Sequence, residues 1–301
     1  MAKRRVVVTG AAGHVTGILL EALRPKYDLV LLDLSKESKA GVLDDIVEVD
    51  LVDPDIEKYR AHFKGADTIV HNARVPNRNN PRYTTGPNRQ WLADRQVHPV
   101  DGYFAERKNL DMAFHVYKLA LEEGARRVIM ASSNHATDWY ETMLHFGGMD
   151  VVDSETYPKS DNFYGWCKIA YEAMGFAFAT GRFGRPVESV NLRIGAPRDL
   201  DIAALAKNQT SLRRDLACYI SNRDLQQLYV KSIETDDIRD ADGVPFQAFY
   251  GVSNNTRSCW SIANARKAIG YAPEDDSELV YAGALREHLT APGKTYATGP
   301  E

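Results

Sequence analysis

Short apolar runs rich in β-branched residues alternate with longer amphipathic stretches over the first two thirds of the chain. The runs predict buried strands, and the stretches between them predict helices. The predicted strands are 6–9, 29–32, 46–50, 68–70, 128–131 and 189–193, and the predicted helices are 14–24, 54–63, 103–123 and 162–180. Continuous apolar strands separated by helices are typical of a parallel sheet covered on both faces. The chain is therefore predicted to be an α/β protein with a doubly wound, Rossmann-type parallel sheet.

The alternation becomes looser after residue 194. Helices are predicted at 211–220, 222–235 and 261–269, with one strand at 246–251. We interpret 1–194 as a dinucleotide-binding sheet domain and 195–301 as mainly a small substrate-binding lobe. The strand near 246–251 is expected to return to the sheet.

One segment, 76–102, follows the fourth strand and shows no periodicity. It is rich in proline, asparagine and arginine, and long loops of this kind are usually functional. Its place at the carboxyl edge of the sheet is where open α/β folds bind ligands. In and just before this loop the chain carries five arginines that could favour an anionic substrate, namely Arg74, Arg78, Arg82, Arg89 and Arg95.

Composition and charge narrow the class of protein. The 301 residues are 44% hydrophobic and 26% charged, which is ordinary for a soluble globular protein, and the net charge is −4. Binding to nucleic acid is therefore not expected to be the main role. Cys167, Cys218 and Cys259 lie far apart, so neither a metal site nor a disulfide framework is predicted. Without a transmembrane-length run or signal-peptide pattern, a cytoplasmic protein with reduced thiols is expected.

A glycine-rich turn joins the first strand to the first helix. Glycines at such a turn let the backbone approach a pyrophosphate, whose charge the helix N-terminus stabilises. The residues expected to bind the cofactor here are Gly10, Ala12, Gly13, His14 and Val15.

Acidic residues at the ends of the next two strands suggest which dinucleotide binds. Asp33 can accept hydrogen bonds from the ribose of NAD and would repel the extra phosphate of NADP. Ser35, Lys36 and Lys39 follow it, so a pocket for that phosphate stays open as an alternative. NAD is the favoured cofactor, with Leu34, Asp50 and Leu51 as further candidate contacts.

Tyr164 and Lys168 form the only YxxxK pair in the chain. The spacing places both side chains on one face of a helix. An ammonium group beside a phenol favours the phenolate, so Tyr164 could act as a general base. Ser133, at the end of the fifth strand, could hold the reacting oxygen, and Asn109 lies in the long helix before that strand.

These motifs together resemble the extended short-chain dehydrogenase/reductase (NAD-dependent epimerase/dehydratase) superfamily. The similarity rests on TGAAG at 9–13, Asp33, Asp50, SSNH at 132–135 and YGWCK at 164–168. SSNH and the LRIG of 192–195 are most similar to uronate dehydrogenases, which oxidise the anomeric carbon of a hexuronic acid to a lactone with NAD. The similarity covers roughly residues 5 to 270.

The resemblance implies a role for each matching residue. Ser133 and Tyr164 would bracket the anomeric hydroxyl as catalytic residues, and Lys168 would hold the nicotinamide ribose. The implied substrate contacts are Ser133, Asn134, His135, Arg193 and Arg74, with Arg193 on the substrate carboxylate. The implied cofactor contacts also include Asn72, Ala73, Asn109, Tyr164 and Lys168. Helices 103–123 and 162–180 correspond to a four-helix interface in relatives, which implies a homodimer.

Two departures separate this chain from that pattern. The third glycine of the usual GxxGxxG loop is Thr16, with Gly17 one step later, and Arg74 stands where a small residue is expected. The predicted function is NAD-dependent oxidation of the anomeric hydroxyl of a sugar or hexuronic acid. The alternative is an NAD-dependent nucleotide-sugar epimerase that uses the same Tyr164 and Lys168. A dehydratase and a non-catalytic dinucleotide sensor are weaker alternatives, because SSNH lacks an acidic pair and the catalytic residues are all present.

Overall fold

The computed structural model describes residues 3–75, 99–145 and 147–289. Its centre is a seven-stranded sheet in which every neighbouring pair is parallel. The strands are β1 (Arg5–Thr9), β2 (Asp28–Asp33), β5 (Ile46–Glu48), β6 (Thr68–His71), β7 (Arg127–Ser133), β8 (Glu188–Ile194) and β9 (Phe246–Gly251). The short strands β3 (Glu37–Ser38) and β4 (Gly41–Val42) form a separate hairpin.

The helices cover the faces of this sheet and build the region beyond its edge. They are α1 (His14–Leu23), α2 (Glu57–Arg60), α3 (Gly102–Glu122), α4 (Glu141–His145), α5 (Phe163–Ala179), α6 (Ile202–Leu205), α7 (Gln209–Cys218), α8 (Asn222–Glu234), α9 (Ala263–Ile269), α10 (Ser277–Val280) and α11 (Ala282–Leu289). Short 3-10 helices occupy Ala61–Phe63, Pro99–Asp101 and Asn134–Tyr140.

The strand order β5-β2-β1-β6-β7-β8-β9 confirms the predicted doubly wound α/β sheet. The chain moves outward from β1 to β2 and β5, then crosses back to place β6 on the other side of β1. The point between β1 and β6 is therefore the topological switch point, where doubly wound sheets bind ligands. All seven predicted strands are present, with ends that differ by at most two residues.

Alternate residues of the strands feed two apolar layers, one on each face. Val6, Val8 and Ile129 pack on the side of α1 and α8. Val7 and Val128 pack on the opposite side, against α3 and α5. Because both faces are buried, the strands are almost continuously apolar, as the sequence pattern indicated.

The C-terminal part of the chain packs against the same core. Strand β9 pairs with β8 in parallel, and Leu225, Phe249 and Tyr271 share a cluster with Val6. A smaller apolar cluster in the lobe includes Leu212. Elements on the two sides of residue 194 thus share packing, and the division into a sheet domain and a lobe stays a prediction.

The sequence pattern missed several short elements. The β3–β4 hairpin, the 3-10 helix at Asn134–Tyr140 and helices α4, α6, α10 and α11 were not predicted. The helix expected over 54–63 forms only from Glu57, as α2 followed by the 3-10 turn Ala61–Phe63. Pro54 lies just before it and, having no N–H and a fixed φ, suits the turn better than a helix interior.

Candidate active site

A cavity of about 640 Å³ opens at the switch point, between the glycine turn and the ends of β2, β5 and β6. Most of the side chains predicted to hold the cofactor line this cavity: Gly10, Ala12, Gly13, His14, Val15, Asp33, Leu34, Asp50, Leu51, Asn72 and Ala73. Arg74, which was expected to contact substrate, lines it as well.

The turn after β1 packs directly on the end of β6. Gly10 has a φ of +71°, and a Cβ on it would lie 2.5 Å from the nitrogen of Ala73. Only glycine adopts this conformation without strain and leaves room for the neighbouring backbone. This close approach shapes the floor of the cavity, as a pyrophosphate-binding turn requires. The residues present therefore fit a dinucleotide.

The Asp33 carboxylate closes the far side of the turn. One of its oxygens accepts a hydrogen bond from the Ala12 amide at 2.8 Å, and the other from the Leu34 amide at 2.6 Å. Its charge stands at the cavity wall, where it would repel the additional phosphate of NADP. This geometry fits the predicted preference for NAD.

Thr16, which departs from the glycine pattern, has a packing role. Its hydroxyl accepts a hydrogen bond from the Asn72 amide at 3.1 Å, so α1 is tied to the end of β6. Tyr229 on α8 donates to the same Asn72 side chain at 2.8 Å. In the usual pattern, the third glycine lets the helix pack closely on the strand. Here Thr16 replaces it and connects α1 to the end of β6 by a hydrogen bond.

Tyr164 and Lys168 lie one turn apart at the start of α5, as predicted. The Lys168 ammonium donates to the carbonyl of Ala131 at 2.7 Å and lies 5.5 Å from the centre of the Tyr164 ring. Burial lowers the pKa of Lys168. The pair thus places a buried ammonium group beside the ring of Tyr164.

Ser133 ends β7 and begins the 3-10 turn that carries Asn134 and His135. Its hydroxyl accepts a hydrogen bond from the His135 amide at 3.3 Å. Its neighbour Ser132 instead donates to buried Glu172 at 2.7 Å. Because successive strand residues point to opposite faces, only one of the two serines can belong to the site.

Arg74 connects the cavity at the switch point with Tyr164. Its guanidinium carbon lies 4.6 Å from the centre of the Tyr164 ring, a cation–π contact. The same guanidinium donates to buried Glu106 at 2.8 Å. Arg74 therefore contacts both the cavity and the ring of Tyr164 on α5. The sequence analysis predicted Arg74 to be a substrate contact.

The expected role of Arg193 is not supported by its surroundings. The side chain is 2% exposed and forms a two-point ion pair with Glu172, at 2.9 and 2.7 Å. Its remaining terminal nitrogen donates to the Tyr250 hydroxyl at 3.2 Å. Although burial opposes the charge, Glu172 holds the pKa of Arg193 above its ordinary value. In this structure Arg193 neutralises an internal acid, and a substrate carboxylate would have to displace Glu172 to reach it. The substrate role of Arg193 stays a prediction.

Asn109 also differs from its expected role as a cofactor contact. It is fully buried, and its amide accepts from the Val75 nitrogen at 2.7 Å and donates to the Val75 carbonyl at 3.2 Å. A further donation at 3.0 Å reaches Glu106. Asn109 thus fixes the backbone beside Arg74 and does not line the cavity.

The long arginine-rich loop lies mostly outside the described residues. Positions 76–98, with Arg78, Arg82, Arg89 and Arg95, are not described, and the chain resumes at Pro99. The roles expected of these four arginines stay predictions. Among the described residues, no group of three or more His, Cys, Asp or Glu side chains is arranged to hold a metal ion. No helix there is long and apolar enough to cross a lipid bilayer.

Sequence reasoning missed two polar residues beside the site. Asp138 is 3% exposed and contacts the ring of His135, and Asn162 caps α5. Asn162 had a usable signal, because asparagine is a preferred residue just before a helix. Asp138 lies three positions after His135 in the same 3-10 helix, whereas its other partner, Asn162, comes from a separate element.

Comparison with known proteins gives relatives over almost the whole chain, although no family model matches it. The chain is 29% identical to a uronate dehydrogenase of Pseudomonas syringae pathovar tomato over 300 residues, which cover 98% of this chain and 92% of the relative. It is 28% identical over 294 residues to an NAD-dependent glucose-6-phosphate dehydrogenase of Haloferax volcanii, with 92% and 96% covered. The solved uronate dehydrogenase of Agrobacterium tumefaciens has a TM-score of 0.65 at 24% identity, covering 100% of this chain and 92% of that chain.

These likenesses confirm the resemblance to uronate dehydrogenases over almost the whole chain. The predicted Rossmann-type α/β fold class is confirmed by the sheet order and by the solved neighbour. NAD is the cofactor that the comparisons support, as the sequence predicted. They also support NAD-dependent oxidation of a sugar or uronic acid.

Proposed function

We propose that this protein is an NAD-dependent dehydrogenase that oxidises the anomeric hydroxyl of a sugar or hexuronic acid to the lactone. The observation that carries this proposal is the contact between Arg74, on the wall of the dinucleotide cavity, and the ring of Tyr164. This contact supports a catalytic Tyr164 beside the cavity that would hold the cofactor. Relatives named as uronate and glucose-6-phosphate dehydrogenases support the same reaction class.

Tyr164 and Ser133 are proposed to carry out different parts of the reaction. Tyr164, with the Lys168 ammonium beside its ring, removes the proton of the anomeric hydroxyl. Ser133 donates a hydrogen bond to the same oxygen as it becomes the lactone carbonyl. NAD, when bound, supplies the acceptor for the hydride that leaves the anomeric carbon. One hydroxyl proton and one hydride thus leave the sugar, which is a two-electron oxidation.

The substrate is proposed to carry a negative charge away from the anomeric carbon. The two relatives compared above act on a uronate and on a sugar phosphate, both anionic. Two arginines were predicted to contact the substrate. The side chain of Arg193 is paired with Glu172 and is 2% exposed, whereas that of Arg74 is 16% exposed at the site. Arginine suits this task because its planar fork matches a carboxylate or a phosphate. Asn134 and His135 are proposed to bind sugar hydroxyls.

The test is NADH formation, followed by absorbance, with glucuronate, galacturonate, glucose, glucose 6-phosphate and a nucleotide sugar. We expect net NADH with at least one free sugar or sugar acid, and a loss of about 10²- to 10⁴-fold in kcat/KM on Tyr164→Phe. The Phe variant should still bind NAD, as measured by calorimetry. Epimerised nucleotide sugar without net NADH would favour the alternative, an epimerase. No turnover of any of these sugars would contradict the proposal.

We also propose a homodimer built on α3 and α5. These helices carry exposed aromatic side chains: Phe104 is 65% exposed, Phe176 42% and Trp166 37%. Tyr103 packs against Phe104 and Trp166 with ring centres 5.6 and 5.8 Å apart, so these three side chains form one patch that spans both helices. Apolar patches of this kind mark interaction sites. Sedimentation should give a dimer that Phe104→Glu converts to monomer, whereas Leu279→Glu, exposed elsewhere, leaves it intact.

The proposed location is the cytoplasm, with a small molecule as the partner and neither nucleic acid nor membrane. The free thiols of Cys167 and Cys218 are buried and that of Cys259 is half-buried. Proteins that keep unpaired cysteines are typical of reducing compartments. Cell fractionation with thiol labelling under denaturing conditions would check this, and oxidised thiols in an extracytoplasmic fraction would contradict it.

A further inference from the structure

The ring of His135 is held by a carboxylate. Its Nδ1 lies 2.9 Å from both oxygens of Asp138, which is 3% exposed. A carboxylate accepts hydrogen bonds and does not donate them, so the proton of a neutral His135 belongs on Nδ1. The other ring nitrogen, Nε2, then carries a lone pair and can accept a hydrogen bond.

The same carboxylate is tied to the catalytic helix. Asn162 donates to Asp138 at 2.8 Å, and its own amide oxygen accepts from the Gly165 nitrogen at 2.9 Å. Gly165 directly follows Tyr164 at the start of α5. Asp138 therefore links the turn that carries His135 to the N-terminus of the helix that carries the base.

The turn and the helix are also in direct contact. A Cβ on Gly165 would lie 2.1 Å from the carbonyl oxygen of His135, a distance that no side chain allows. The rings of His135 and Tyr164 meet edge to face with centres 5.5 Å apart. A shift of the turn that carries His135 would therefore move the start of α5 and the side chain of Tyr164.

Other charged groups surround this arrangement but have partners of their own. Glu141, on α4, is paired with Arg214 at 2.8 Å. Across the Tyr164 ring stand Lys168, bonded to the Ala131 carbonyl, and Arg74, paired with Glu106. In the part of the chain that the structure describes, Asp138 is the carboxylate hydrogen-bonded to the His135 ring.

We propose that Asp138 is a positioning residue that fixes the tautomer of His135, so that Nε2 accepts a hydrogen bond from a hydroxyl of the sugar. It also holds the His135 turn against the helix of Tyr164. This inference rests on the proposed function for the identity of the ligand, but the Asp138–His135 pair can be tested without turnover.

The first measurement is nitrogen-15 NMR of the His135 ring in the full-length protein. The unmodified protein should show the Nδ1–H tautomer, and Asp138→Asn should shift His135 toward the Nε2–H tautomer or a mixture. Asp161→Asn is the matched control, because exposed Asp161 also accepts from Asn162, at 3.1 Å, without touching His135. An Nε2–H tautomer in the unmodified protein, or a spectrum unchanged by Asp138→Asn, would overturn the proposal.

The second measurement is a double-mutant cycle in the NADH assay. Asp138→Asn should lower kcat/KM about 10- to 100-fold, mainly through KM, as the loss of a substrate hydrogen bond predicts. In a His135→Gln background the same change should add little, because Asp138 acts through His135. An equal loss in both backgrounds would contradict the proposed coupling. If Asp138→Asn folds poorly, Asp138→Glu, which keeps the charge, should retain the tautomer.

The two measurements separate the possible failures. If no sugar is oxidised but the tautomer follows Asp138, the proposed function fails and the pairing stands. If the Asp138→Asn variant oxidises a sugar with the same kcat/KM as the unmodified protein, the inference fails and the proposed function stands.

Discussion

Asp33 and Glu172 are two carboxylates of the same fold with contrasting surroundings. Asp33 ends β2 at the wall of an open cavity, and its oxygens accept hydrogen bonds from the uncharged amides of Ala12 and Leu34. Glu172 lies on α5, 5% exposed, with both oxygens on the guanidinium of Arg193. The charge of Asp33 stays available to a ligand, whereas that of Glu172 is neutralised inside the protein.

The same contrast extends to the two halves of the site. The cofactor half is shaped by backbone, above all by the contact of Gly10 with Ala73. The substrate half is shaped by paired side chains, such as Arg74 with Glu106 and Asp138 with His135. We therefore expect substitutions in the first half to change which cofactor binds, and substitutions in the second to change folding stability or substrate binding.

Breaking the buried pair between Glu172 and Arg193 should have the largest effect. Glu172→Gln leaves the Arg193 charge buried without a counter-charge, which costs about 3–5 kcal/mol of the free energy of unfolding. Glu57→Gln is the control, because it breaks an exposed pair with Arg60 and should change the free energy of unfolding far less. Urea unfolding measures both. A loss below about 1 kcal/mol for Glu172→Gln would mean that Arg193 is not desolvated.

Gly10→Ala tests the backbone of the cofactor half. The new Cβ would press on Ala73 from a backbone of positive φ, and we expect a loss of about 1–3 kcal/mol in stability together with weaker NAD binding. Gly17→Ala is the matched change: its Cβ meets nothing within 4 Å, and it lies inside α1. It should leave NAD affinity unchanged and raise stability by about 0.5–1 kcal/mol. Equal effects of the two changes on calorimetric NAD affinity would refute the role given to the turn.

His71, between the two halves, makes stability depend on pH. It is fully buried with Nδ1 2.7 Å from the Thr9 hydroxyl, and burial lowers its pKa to about 3. Because the unfolded chain takes up the proton near pH 6.5 and the fold does not, stability falls as the pH drops from about 6.5 toward 3, by up to about 1.4 kcal/mol per pH unit.

His71→Gln should remove this contribution to the slope, and His62→Gln, at a half-buried position on a short surface helix, should not. Denaturant unfolding at a series of pH values gives the comparison. A slope that survives in His71→Gln would assign the acid sensitivity to other groups.

Asp33→Ala should have the smallest effect. Removing one charge relieves a repulsion of about 1 kcal/mol at 4 Å through water, so the ratio of NADP to NAD affinity should rise about five-fold. Stability should change less than in Gly10→Ala, although the hydrogen bond to Ala12 is lost. A ratio that does not move would indicate that Asp33 only supports the turn.

Residue patterns that act over a few positions were sufficient to predict where the glycine turn, Asp33 and the Tyr164–Lys168 pair lie in the fold. The glycine turn, Asp33 at a strand end and the i,i+4 spacing of Tyr164 and Lys168 depend on local geometry, and the structure places all of them near one edge of the sheet. The strands could be predicted because both faces of the sheet are buried, which makes their apolar runs continuous.

The charge pairs could not be predicted in the same way. Arg193 was expected to bind substrate because it follows a strand in a recognised motif, yet Glu172, 21 positions earlier, reaches it across the packing of α5 on β8. Asn109 likewise meets Val75 from 34 positions away. The pairing of an acid with a particular arginine depends on tertiary packing. It cannot be predicted from the spacing of the two residues in the sequence.

The position of β9 has a consequence for the way the chain folds during synthesis. Strand β8 ends at Ile194, and its partner β9 begins only at Phe246. At about 5–20 residues per second, the ribosome needs roughly 3 to 10 s to make the intervening segment. Until then β8 is an uncovered edge with unpaired backbone groups, the kind of surface that pairs with other chains. We expect nascent chains truncated between these strands to aggregate or bind chaperones, and chains that extend past β9 to be released.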